Sequence, residues 1–105
     1  MKAVMAYITA GSTEEARTIA DALIGDRLAA CVNIYPGITS VFEWEGQVEH
    51  DQEVVLIAKT TEAGFEALRE KVCQVHSYDC PCVVGLPVER GNQPFLDWIG
   101  EQVSG

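Results

Sequence analysis

Twice along this chain an apolar run of strand character is followed by a segment with helical spacing and then by another apolar run. Few folds accommodate that double strand–helix–strand order. Val4, Ala6 and Ile8 alternate with Met5, Tyr7 and Thr9 up to Gly11, the period of two expected of a strand. Ser12-Thr13-Glu14-Glu15 follows as a capping box, in which the Ser12 hydroxyl and the Glu15 carboxylate satisfy N–H groups of the first helical turn. Ala16, Ile19, Ala20, Leu23 and Ile24 recur at helical spacing, and Gly25 is read as the stop.

From Leu28 to Glu45 the chain is rich in strand formers, with Ala30, Val32 and Ile34 on one face and Cys31, Asn33 and Tyr35 on the other. Pro36-Gly37 predicts a bend or bulge, and Glu45-Gly46 a turn. The returning strand is expected over Glu53–Thr60, where Val54-Val55-Leu56-Ile57-Ala58 is too apolar to leave one face in water. Thr61-Glu62 is expected to open a second helix, with Phe65, Leu68, Val72 and Val75 as its buried stripe. A short strand over Cys82–Val88 and a last helix capped by Asn92, carrying Phe95, Leu96, Trp98 and Ile99, complete the order.

That order is the split βαβ, or ferredoxin-like, arrangement. It predicts an α+β fold with an antiparallel sheet and helices packed on one face. The 105 residues suit a single domain over 1–105, and 48% hydrophobic residues suffice for its core. A net charge of −9 with seven Lys and Arg excludes nucleic acid and anionic membrane surfaces as natural partners. The start of the chain enters a strand pattern without a clear signal peptide, and no apolar stretch is long enough to span a bilayer. Cytoplasmic placement is the resulting expectation, and with it four cysteines acting as thiols or metal ligands rather than disulfides. Phe42 and Trp44 on a protruding hairpin are hard to bury in one domain of this size, which points to self-association.

The candidate chemistry centres on Cys73, His76, Cys80 and Cys82. Cys73 and His76 share a helix flank, and Cys80 and Cys82 point the same way from an extended segment. Thiolate and imidazole suit copper(I) or zinc. The competing reading packs the thiols as small apolar groups and gives His76 a backbone partner. Cys31 could be a nucleophile or an inert strand residue, Lys59 an anion contact or a salt-bridge partner, and Glu89 a cleft residue or part of a solvated turn. No phosphate-cradling loop, nucleophile elbow or His-Glu-x-x-His motif occurs. The expectation is a protein that is not an enzyme.

Leu28-Ala29-Ala30-Cys31-Val32-Asn33-Ile34, Pro36-Gly37, Ser40, Trp44-Glu45-Gly46, Lys59-Thr60, His76-x-Tyr78, Pro81 and Leu86-Pro87-Val88 resemble, in order and spacing, the signature of the CutA divalent-cation-tolerance family. The closing Gly91…Phe95-Leu96-x-Trp98 segment is similar as well. The resemblance implies a ferredoxin-like subunit with PII-like topology, a homotrimer, a cytoplasmic location and a role in tolerance of divalent metals. Copper or another divalent metal is the implied ligand, and none is expected to be required for folding. An alternative is a PII-like sensor whose small ligand sits in the cleft between subunits, with Cys31, Lys59, Tyr78 and Glu89 as its lining.

Overall fold

Four strands lie in the order β2-β3-β1-β4, with every neighbouring pair antiparallel. They are β1 Ala3–Ala10, β2 Cys31–Trp44, β3 Gln47–Thr61 and β4 Val83–Pro87. Three helices intervene or follow: α1 Thr13–Gly25, α2 Phe65–Val75 and α3 Gln93–Gln102. The computed structural model describes residues 1–103. The α+β class and the antiparallel split βαβ sheet are as the sequence predicts.

The core follows from strand alternation. Ala6, Ile8 and Ala10 of β1 and Val54, Leu56 and Ala58 of β3 point to one side. There they meet Ala16, Ile19, Ala20 and Leu23 of α1 and Leu68 and Val72 of α2. The third helix does not join this layer. Ile99 of α3, with Val103 beyond it, packs on Ala3 with Ala30, Val88 and Leu96 in a separate small cluster at one end of the sheet. Two helices, not three, therefore share the principal core.

The opposite face of the sheet is covered only at its Ala3 end, where α3 packs, and around Thr9 and Val55; among the described residues no helix lies over its middle. Its rows are Cys31–Lys59–Met5–Leu86 and Asn33–Ile57–Tyr7–Val84, flanked by Tyr35–Val55–Thr9. Tyr35, Val84 and Leu86 are between 50% and 67% exposed, a large apolar surface for one chain to leave in water.

Local chemistry moves several boundaries. The β3 strand begins at Gln47, six residues before the expected Glu53, because the polar segment Gln47–Gln52 ladders against Ile38–Trp44. Glu45 and Gly46 both take positive φ, 50° and 80°, which gives the tight two-residue hairpin turn. Gly25 is only the last helical residue. The left-handed position is Arg27, φ 58°, after which the Leu28 N–H donates back to the Leu23 carbonyl at 2.8 Å. Thr61 stays in β3, its hydroxyl accepting from the Gly64 N–H, and α2 opens at Phe65. Asn92 holds the N-cap position of α3 without a side-chain bond.

Candidate functional site

His76 ends α2, and its imidazole is buried between α1, β1 and the following loop. Nε2 lies 2.7 Å from the Thr9 carbonyl oxygen. A carbonyl can only accept, so Nε2 carries the proton. Nδ1 then accepts the Tyr78 backbone N–H at 3.0 Å. Both ring nitrogens are engaged, and neither can ligate a metal without breaking a bond inside the fold.

Glu15 completes the arrangement. Its N–H donates to Ser12 Oγ at 3.1 Å, one half of the capping box. The carboxylate does not return to Ser12. It accepts the Gly11 N–H at 3.3 Å and, across the molecule, the Ser77 N–H at 2.7 Å. Burial opposes its ionisation, but hydrogen bonds from Ser77 and Gly11 hold its pKa below the usual 4.5. A carboxyl with a lowered folded-state pKa stabilises the fold above its unfolded-state pKa, and that contribution vanishes as pH falls through the folded value. Glu15→Ala is therefore expected to cost about 1–3 kcal/mol at neutral pH. The gap in denaturant midpoint should narrow steadily as the pH drops below about 4.5.

Tyr78 links the same loop to the far strand. Its hydroxyl donates to Glu53 Oε2 at 2.9 Å, and its ring sits 4.6 Å, centroid to centroid, from that of His76. Gly11 leaves room for it, since a Cβ there would stand 3.2 Å from the phenol oxygen. Burial, the bond to Glu53 and the charges of Glu53, Glu15 and Asp51 push its pKa up to about 12, so the phenol remains a donor.

Beside Tyr78 opens a cavity of about 470 Å³, walled by Phe42, Trp44, Tyr78 and Cys80 and edged by Asp51, Glu53 and Asp79. The bulge between Tyr35 and Ile38 builds it. Before the bulge, odd-numbered residues of β2 face the same way as Val55, Ile57 and Lys59; after it, Ile38, Ser40, Phe42 and Trp44 take that side, opposite Glu53, Asp51, Glu49 and Gln47. Without the extra residue both aromatic rings would project from the other face.

The sequence-derived metal set does not assemble. Cys73 is exposed on α2, its sulfur 3.8 Å from the Arg69 guanidinium. Cys80 and Cys82 are exposed thiols on the loop entering β4. Burial and Glu53 push the Cys82 thiol up despite a bond from Thr9, so it stays protonated near neutrality. Among the described residues no three His, Cys, Asp or Glu side chains are placed to hold one ion. The spacing put Cys73 and His76 on one helix flank, but in the structure Cys73 is exposed and His76 is buried. It could not reveal that His76 turns inward to Thr9.

The proposed cleft residues also divide. Cys31 and Lys59 are cross-strand neighbours on the uncovered face, with the Lys59 ammonium bonded to Asn33. Glu89 lines a separate cavity with Met1, Lys2 and Gln93. Tyr78 stands at Glu53, six residues along β3 from Lys59, or roughly 20 Å. One chain does not bring these four together. Sequence reading did not single out Asp51 and Glu53, because Asp51 lay before the expected strand and Glu53 was read only as its first residue. Their i, i+2 spacing opposite the Phe42/Trp44 pair was the available signal.

The model for the CutA1 divalent ion tolerance proteins matches residues 4–102. The chain belongs to that family. A divalent-cation tolerance protein CutA from Thermus thermophilus is 52% identical over 94 residues, which are 90% of this chain and 91% of the relative. A relative of the same description from Archaeoglobus fulgidus is 50% identical over 97 residues, covering 92% of this chain and 94% of its own. The solved CutA1 of Oryza sativa superposes with a TM-score of 0.97 at 41% identity, covering 99% of this chain and 95% of that one. These descriptions name tolerance of cations and no reaction. A CutA relative in rice is described as chloroplastic and the Archaeoglobus fulgidus structure as periplasmic. No helix among the described residues of this CutA1 member is long and apolar enough to cross a membrane.

Proposed function

We propose that this CutA1 member serves divalent-metal tolerance as a cytoplasmic homotrimer, without a preformed metal centre inside the single chain. The match over residues 4–102 to a family described by divalent ion tolerance carries the functional half of this reading. The uncovered sheet face supports the assembly, since Met5, Tyr7, Ile57, Val84 and Leu86 need a partner surface and closed cyclic symmetry provides one.

Metal contact falls to exposed groups. Copper(I) or another soft ion meets Cys80 and Cys82, and weakly Cys73, while His76 acts as an internal tie. Titration with copper(I) under reducing conditions, followed by mass spectrometry of the intact protein, tests this assignment. Cys80→Ser/Cys82→Ser should lose the bound ion, and His76→Gln should keep it. Binding should weaken as pH falls and the thiols hold their protons. Loss of the ion in His76→Gln, with retention in the double cysteine variant, would return the imidazole to the metal. Restored growth on copper when the gene is supplied to cells lacking it tests the tolerance role itself.

A small-molecule sensor with its ligand between subunits is the second reading. Tyr78 meets β3 at Glu53, six residues from the Cys31/Lys59 pair, so only neighbouring subunits could join them in one cleft.

A further inference from the structure

Lys59 is the one lysine or arginine in any of the four strands, and it lies on the open sheet face in the row Cys31–Lys59–Met5–Leu86. Its ammonium donates to a neutral group, the side-chain oxygen of Asn33. Asp51 and Glu53 lie at even spacing from it along β3 and so point to the same side. We infer that Lys59 of each subunit pairs across the trimer contact with Asp51 and Glu53 of the partner subunit. The inference rests on the assembly proposed above and names the charges that set its register.

Within one chain the two charged poles do not meet. Six residues of strand put Glu53 roughly 20 Å from Lys59, about twice the screening length at ordinary salt. No ion pair among the described residues reaches Lys59, Asp51 or Glu53. Covering Met5 and Leu86 with another subunit takes water from the Lys59 ammonium beside them. An amide oxygen alone offsets little of that desolvation, whereas a carboxylate carried by the covering surface offsets much more.

Ring symmetry supplies the rest. Three identical chains close a ring through head-to-tail contacts, in which one patch of a subunit meets a different patch of the next. The open face carries two such patches of complementary character. A basic pole stands among Met5 and Leu86, and an acidic pole stands beside Phe42 and Trp44, so docking lays apolar surface on apolar surface as it pairs the charges. The Tyr78 hydroxyl holds Glu53 in place at 2.9 Å. No lysine or arginine of the same chain lines the cavity of about 470 Å³ at this pole. That space admits a long aliphatic side chain whose stem lies on the rings while its ammonium reaches the carboxylates.

Charge reversal tests the pairing. Lys59→Glu puts like charges on the two sides of every contact, and so does Asp51→Lys/Glu53→Lys. Each should raise the concentration at which the trimer dissociates at least about a hundredfold, read by sedimentation equilibrium at a fixed urea concentration. All three substitutions in one chain restore opposite charges at each contact and should bring that concentration back to within about tenfold of the unaltered protein. Circular dichroism without urea checks the subunit fold. Should a reversal unfold the chain, Lys59→Met and Asp51→Asn/Glu53→Gln take its place, and their effects should fall well short of adding when combined. Reversals that dissociate no more readily than the unaltered chain would overturn the pairing and leave Lys59 to a small anion, with the trimer standing. Loss in both reversals without recovery in the combined variant would overturn it as well. An unaltered chain that sediments as 11.4 kDa would instead overturn the assembly beneath it.

Discussion

Leu86→Asp is expected to leave the chain folded and to break the assembly into monomers. Leu86 stands in the row Cys31–Lys59–Met5–Leu86 on the open part of the sheet face, and it is 53% exposed in the single chain. A carboxylate there is free to hydrate in a monomer, so the fold itself loses little. Covered by a neighbouring subunit, the same carboxylate would be desolvated without a partner, at a cost of several kcal/mol for each copy. Symmetry repeats the cost in every subunit. Light scattering should therefore give the mass of one chain, with circular dichroism unchanged. An intact trimer carrying aspartate at this position would place the subunit contact elsewhere.

His76→Ala should cost about 2–4 kcal/mol of folding stability, read as a shift in denaturant midpoint. The imidazole is fully buried, and its loss leaves the Thr9 carbonyl and the Tyr78 N–H without the partners they now have at 2.7 and 3.0 Å. The side-chain amide introduced by His76→Gln can donate to one and accept from the other, so that variant should recover part of the loss. A histidine held for metal binding behaves differently. Its removal would leave stability in a chelator unchanged and lower only the stability gained on adding metal.

These two residues show what the sequence makes legible and where it stops. The strand–helix–strand order emerges because periods of two and 3.6 survive in the apolar residues alone, as in Ala6, Ile8 and Ala10 or Ala16, Ile19 and Leu23. The outer part of β3 is hidden because Gln47–Gln52 carries Val48 as its one apolar residue and owes its strand to the ladder with β2. Family resemblance is carried by runs such as Leu28–Ile34 and His76-x-Tyr78, and the match over residues 4–102 agrees with it. The site is harder to read because its bonds cross the fold. Glu15 reaches Ser77, 62 residues away, and His76 reaches Thr9, 67 residues away. No local spacing encodes those pairings. Cys80 and Cys82 look like ligands from their spacing, yet the imidazole that would join them is engaged by Thr9 and Tyr78 inside the fold.

Sedimentation equilibrium at micromolar concentration tests most directly whether the bare sheet face is a subunit contact. The predicted result is a single species of three times 11.4 kDa, with a melting temperature that rises as protein concentration is increased. A species of 11.4 kDa whose melting is independent of concentration would contradict it, leaving Met5, Tyr7, Ile57, Val84 and Leu86 as the surface of a lone chain.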